Sequence, residues 1–143
     1  MEGTAKALKV RLQPFEISRP TELQSTFLAA AEKQINAIVV MDHPILISHS
    51  DVIADLAAKH HLPSIGYLQL AASGGLVGYG VNFTDQYRRA AVFVDKILKG
   101  AKPSDIPIEQ ATRFVTIVNV KTAKIIDIEV PTSLLLRADE VIE

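Results

Sequence analysis

The stretch NFTDQYRRAAVFVDKILKG, residues 82–100, reads as one helix with both ends marked. Asn82 is a good N-cap, and Asp85 lies in the first turn, where the positive end of the helix dipole favours an anion. Tyr87, Ala90, Ala91, Val94, Ile97 and Leu98 recur on one face. Lys96 and Lys99 occupy the last turn, Gly100 the position after the C-cap, and Pro103 closes the exit. Working outward, short apolar runs flank this helix on both sides. Residues 76–79 read as a strand after a Gly74-Gly75 turn, and residues 114–120 read as another. Strand, helix, strand is the repeating unit of an α/β sheet.

The same alternation extends towards the N-terminus. Residues 64–68 and 37–41 are short continuous apolar runs, as expected of strands covered on both faces. Between them Ser48 or Ser50 starts a helix carrying Val52, Ile53, Leu56 and Ala57, which Leu62-Pro63 stops. Thr21 with Gln24 fits a capping box for a helix carrying Leu23, Phe27, Ala30, Ala31 and Ile35. Leu8, Val10 and Leu12 alternate with polar residues, a strand period, ended by Pro14. Beyond residue 120, residues 121–126 and 133–141 read as short helices. The expectation is one α/β domain over residues 1–143, a doubly wound, mostly parallel sheet with helices on both faces. In such sheets ligands sit beyond the carboxyl ends of the strands. Three segments fall there: residues 42–48, 67–73 and 79–85.

Composition narrows the function. The chain has 143 residues, 15 basic and 16 acidic, with 48% apolar. That balance excludes a disordered chain and a broad basic field for nucleic acid. No apolar run approaches the roughly 18 residues of a membrane span. The absence of cysteine excludes thiol catalysis, thiolate zinc sites and disulfides. No basic region followed by an apolar one opens the sequence, so no secretion signal is expected.

The chemistry-bearing candidates are few. Asp42, His43 and His49 match no metal-ligand spacing, and they read as loop and cap residues. His60-His61 sits at a helix C-terminus, where the dipole favours imidazolium. Gly74-Gly75 and Gly78-Tyr79-Gly80 precede a helix, but Phe83 interrupts Gly-x-Gly-x-x-Gly, and no P-loop Lys-Ser/Thr follows. Asn82-Phe83-Thr84 is formally a glycosylation sequon, which capping explains better. There is no nucleophile elbow and no paired carboxylate, so neither catalysis, metal nor cofactor is expected.

Residues 74–143 carry a resemblance. Gly-Tyr-Gly-x-Asn at 78–82, Tyr-Arg-Arg-Ala-Ala at 87–91, Val-Asp-Lys-Ile-Leu-Lys-Gly-Ala-Lys-Pro at 94–103 and Leu-Leu-Arg-Ala-Asp-Glu-Val-Ile at 135–142 strongly resemble the carboxyl end of ABC-transporter solute-binding proteins. The match is to the family related to tryptophan- and tyrosine-binding components. The resemblance implies a periplasmic-binding-protein type I fold: two α/β lobes with the solute between them, extracytoplasmic, non-enzymatic, and partnered by an ABC permease. This sequence corresponds to the carboxyl-terminal lobe only. It also departs at Val81, where proline is expected, and at 66–70, where a polar, aromatic-bearing stretch is expected.

Carried over by position, the cleft face consists of Asp42, His43, Tyr67, Tyr79, Asn82 and Asp85. Tyr67 and Tyr79 can offer a stacking face and a hydroxyl. Asp42 or Asp85 can meet an ammonium group, and the helix start at Asn82 suits a carboxylate. The expected function is a solute-binding component taking a small molecule such as an amino acid, an aromatic one in particular. The alternatives are a free-standing protein-interaction module with no solute, and a small flavodoxin-like enzyme or nucleotide binder. A homodimer is also expected. The stripe Tyr87, Ala91, Val94 and Leu98, with strand 114–120, lacks the surface that a first lobe would supply, unless the helix folds back onto its own sheet.

Overall fold

The computed structural model describes residues 2–110 and 113–143. The chain begins with helix α1 (Glu2–Ala7), then runs extended to a 3-10 turn at Pro20–Glu22 and helix α2 (Leu23–Glu32). Strand β1 (Ile38–Val39), helices α3 (Pro44–Ile47) and α4 (Ser50–Lys59), strand β2 (Ser64–Gly66), helix α5 (Leu68–Ala72) and strand β3 (Val77–Val81) follow. The long helix α6 (Phe83–Leu98) and a return segment lead to strand β4 (Phe114–Asn119). Helices α7 (Val120–Ile125) and α8 (Thr132–Leu135) and strand β5 (Glu140–Ile142) complete it.

The five strands form one sheet in the order β1-β2-β3-β4-β5. β1, β2 and β3 are mutually parallel, β4 is antiparallel to β3, and β5 is parallel to β4. This is the expected doubly wound, mostly parallel α/β fold, with β4 returning antiparallel.

One face of the sheet is closed by α2, α4 and α5. Leu23, Phe27, Ile53, Ala57, Tyr67 and Leu70 form its core. Helix α5 can lie close because the strands beneath it carry glycine. A Cβ on Gly78 would stand 2.9 Å from the Ala71 Cβ and 3.1 Å from the Leu68 Cα. Asn119, buried at the end of β4, ties three elements together. Its amide donates to the Ala71 carbonyl (3.2 Å), and its Oδ1 accepts from the Thr122 N–H (2.9 Å) to cap α7.

The opposite face is covered at one end only, where Leu76, Ala123 and Ile126 pack with Val77, Ile128 and Val130. Across the rest, Val39, Ile65, Tyr79, Phe114 and Val141 point outward and are exposed. The register places Val39 beside Ile65, Ile65 beside Val77, and Tyr79 opposite Thr116, so these residues share one face. The Tyr79 and Phe114 rings stack there at 5.5 Å.

Several expectations need correction. Residues 8–12 alternate as a strand should, yet they join no strand, and Leu8, Val10 and Leu12 are exposed. Periodicity alone does not supply a pairing partner. The run at 37–41 is apolar, but Val39 and Met41 are exposed, so this strand is covered on one face rather than two. The predicted strand at 64–68 stops at Gly66, because Tyr67 caps α5. The predicted helix at 133–141 is helical only to Leu135, and its end becomes β5, paired along β4. The capping box is made by Glu22 rather than by Thr21 with Gln24. The Glu22 carboxylate accepts from the backbone N–H groups of Ser18 (2.9 Å) and Arg19 (3.2 Å).

Helix α6 has the predicted caps. Asn82 Oδ1 accepts from the Asp85 N–H at 3.3 Å, and Gly100 adopts φ 100°, a conformation that suits glycine. It does not fold back on its own sheet: none of its residues is buried, and Tyr87 and Leu98 are 75% and 81% exposed.

Candidate functional site

The carboxyl ends of β1, β2 and β3 point to a common edge, because parallel strands end together. Each is followed there by a turn into a helix: α3 after Asp42-His43, α5 after Tyr67, α6 after Asn82. Between these turns lies an open cleft of about 340 Å³, lined by Asp42, Tyr67, Leu68, Gln69, Gly80, Val81, Phe83 and Gln86. Pockets for small organic ligands span roughly 300–1,000 Å³. Asp42 is the charged residue of this lining. Gln69 and Gln86 add amides that both donate and accept, and Leu68, Val81 and Phe83 supply an apolar wall.

Asp42 and Tyr67 are therefore brought together in the cleft, but Tyr67 does not offer its hydroxyl to it. Its ring is 4% exposed, and its Oη donates to the Leu46 carbonyl at 2.6 Å. Ser50 Oγ lies 3.0 Å from that Oη and 2.6 Å from the Ile47 carbonyl, so its single proton serves one of the two. Burial pushes the Tyr67 phenol above its ordinary value; the Ser50 contact opposes this and the nearby Asp42 carboxylate adds to it. The tyrosine thus fixes α3 and α4 behind the cleft floor.

The other predicted residues are placed elsewhere. His43 Nδ1 accepts from the Ile45 N–H (3.3 Å), capping α3. Asn82 caps α6. Asp85 faces Arg88 (3.2 Å) and Arg113 (3.5 Å) at the surface. Tyr79 lies on the exposed sheet face, in a second cavity of about 450 Å³ with Ile65, Val77, Thr116, Ser133, Leu134 and Arg137. The sequence reading missed Gln69, Phe83 and Gln86. Their signal was position: each lies in the first turn of a helix that leaves a strand end. Among the described residues no group of three or more His, Asp or Glu side chains gathers as metal ligands, and no helix is long and apolar enough to cross a membrane.

The chain belongs to the ABC transporter substrate binding protein family, whose profile it matches over residues 1–142. No curated protein matches the sequence. Among solved structures it is similar to a conserved domain protein from Vibrio cholerae O1 biovar El Tor (TM-score 0.87, 20% identity, covering 98% of this chain and 47% of that one). It is also similar to an ABC domain in complex with L-Trp from Streptococcus pneumoniae (TM-score 0.84, 23% identity, 98% and 49%). A third is the ligand-free, open structure of a substrate binding protein with adhesive properties from Clostridium difficile (TM-score 0.72, 20% identity, 99% and 47%). At these identities the likeness establishes the fold. The chain spans about half the length of each of these structures.

Proposed function

We propose that this chain is the carboxyl-terminal lobe of a solute-binding component of an ABC import system, taking an amino acid in the cleft at Asp42 and handing it to an ABC permease without converting it. The observation that carries the reading is the cleft itself. It joins all three strand-end turns in one space of about 340 Å³. A single carboxylate suits an ammonium group, the two glutamines suit a carboxylate's oxygens, and the apolar wall with Phe83 suits an aromatic or branched side chain. The L-Trp bound by the similar Streptococcus pneumoniae domain supports an aromatic amino acid. We include in the proposal that the chain works as a homodimer. The test is native mass spectrometry of the purified chain for a retained solute, followed by a thermal-shift screen of the amino acids. A shift with aromatic amino acids that Asp42→Asn removes supports the reading. A shift indifferent to Asp42→Asn, or none with any amino acid at high millimolar concentration, overturns it.

One observation favours a second reading, a free-standing interaction module without solute: the large uncovered sheet face bearing Tyr79 and Phe114. The same screen separates them, since that reading expects no amino acid to bind.

A further inference from the structure

Helix α3 is a single turn, and a single turn does not stand by itself in water. The last four carbonyls of a helix lack partners within it, and in Pro44–Ile47 these are all the carbonyls there are. The Pro44 carbonyl accepts from the Ser48 N–H (3.0 Å). The other three are met by side chains. The Ile45 carbonyl lies 3.0 Å from Ser48 Oγ and 2.8 Å from His49 Nδ1. Leu46 accepts from Tyr67 Oη at 2.6 Å, and Ile47 lies 2.6 Å from Ser50 Oγ, the shorter of that hydroxyl's two contacts. Ser48 and His49 belong to the turn itself. Ser50 and Tyr67 do not: Ser50 opens α4, Tyr67 leads from β2 into α5, and both are buried. Two elements of the core therefore grip α3 at adjacent carbonyls. The grip extends to Asp42. His43 holds the start of α3, its carbonyl accepting from the Ile47 N–H (2.9 Å) and its Nδ1 from the Ile45 N–H (3.3 Å). On the other side, the Val40 N–H donates to the Ile65 carbonyl of β2 (2.8 Å). Asp42 stands between these two anchors with Met41.

We infer that Ser50 and Tyr67 are positioning residues for the cleft: by holding the carbonyl end of α3 they fix the backbone that carries Asp42, so that its carboxylate is in place before a solute arrives. The bearing on a solute rests on the amino-acid reading above; the clamp on α3 does not. Apolar packing alone would not do this work. Leu46 packs against the core, but burial of apolar surface is non-directional and lets one turn of helix roll. A hydrogen bond has a preferred angle as well as a length, and two of them at neighbouring carbonyls set the rotation of α3. That rotation sets where the chain just before it points. Buried hydroxyls are costly unless partnered, and both of these are spent on the backbone of the same short helix. A segment ordered in advance spares a ligand the entropy cost of ordering it on binding. The clamp therefore acts on whichever part of the solute meets Asp42, the ammonium group, and not on the part that meets Phe83.

The experiment compares the parent chain with Ser50→Ala and Tyr67→Phe, which remove one hydroxyl each and keep the Tyr67 ring. Phe27→Leu serves as the control, since Phe27 is a core residue that stacks on His60 at the far end of α4 from Ser50. Amide hydrogen exchange is followed first, without any solute. Residues 41–49 are expected to exchange about fivefold faster in both hydroxyl variants, the effect of one net hydrogen bond, with residues 23–32 unchanged. Unchanged exchange over 41–49 overturns the clamp whatever the binding results. Affinity is then measured by nuclear magnetic resonance titration with three probes: L-tryptophan, tryptamine, which keeps the ammonium group, and indole-3-propionate, which lacks it. Both hydroxyl variants are expected to weaken L-tryptophan and tryptamine about fivefold and indole-3-propionate less than about twofold. Phe27→Leu is expected to lower the unfolding temperature and to leave all three affinities in place. Equal losses for all three probes, or faster exchange with no loss of affinity, overturn the positioning role and leave Ser50 and Tyr67 purely structural. A parent chain that binds none of the probes overturns the proposed function instead, and the clamp then stands or falls on the exchange of residues 41–49 alone.

Discussion

Tyr67 shows how one buried phenol shapes the cleft without offering its hydroxyl to it. Its bond to the Leu46 carbonyl holds α3 against α4, and α3 begins beside Asp42. Tyr67→Phe keeps the ring but leaves that carbonyl without its side-chain partner, at a cost of about 1–2 kcal/mol. Thermal unfolding is expected to drop by about 3–8 °C. The pH dependence has a fixed sign. Burial raises the folded-state phenol above the unfolded value of 10.0, so its stabilisation is complete below that value and declines as pH rises through the folded one. Tyr67→Phe is expected to flatten the alkaline limb of the stability curve. Glu22 supplies the opposite case at the surface. Backbone N–H bonds from Ser18, then the Arg19 side chain and N–H, hold its carboxyl below the usual 4.5. Its contribution is present above that value and is lost as pH falls through the lowered one. Glu22→Gln is expected to shrink the acid loss of stability, measured as the midpoint of acid unfolding followed by circular dichroism.

At the scale of elements, the contact between α5 and the sheet is the least forgiving. Gly78→Ala drives a methyl group into Ala71 and against the Leu68 backbone, and backbone cannot rotate away. Such overpacking costs about 1–3 kcal/mol, visible in chemical denaturation. Gly80→Ala meets only Leu68 Cγ at 3.7 Å, an ordinary contact, and stability is expected to stay within about 1 kcal/mol of the parent. The pair of variants separates steric from entropic effects, since both remove a glycine from the same strand. These elements differ in how far the sequence reveals them. Asn82 to Gly100 was legible because cap, dipole charge, stripe and C-terminal glycine agree, each a local signal. The short α3 and α5 were not, because four or five residues hold too few turns for a helical period to register. The exposure of Leu8 to Leu12 and of the Val39 face was also invisible. An apolar pattern states which residues gain by burial, and only the assembled layers decide whether something arrives to bury them. The cleft followed the same division. Strand ends located it, while the inward turn of Tyr67 and the outward turn of Tyr79 depend on strand pleat and register.

For the whole molecule, the decisive quantity for the proposed function is how much of an amino acid the cleft at Asp42 can enclose. The cleft lies on the rim of the sheet, and Asp42, Gln69, Phe83 and Gln86 are all exposed. A bound amino acid would touch wall on one side and water on the other. Ligand pockets generally bury 70–90% of their ligand, so one such wall supplies about half of the contact. If two walls together give micromolar affinity, about −8 kcal/mol, half of the contact gives about −4 kcal/mol, a Kd of about 1 mM. The loss of rigid-body freedom is not halved with the contact area, which pushes the value weaker still. Isothermal calorimetry with L-tryptophan is therefore expected to show a Kd of about 1 mM or above for the isolated chain. A submicromolar Kd would show that a second wall closes over the cleft at Asp42.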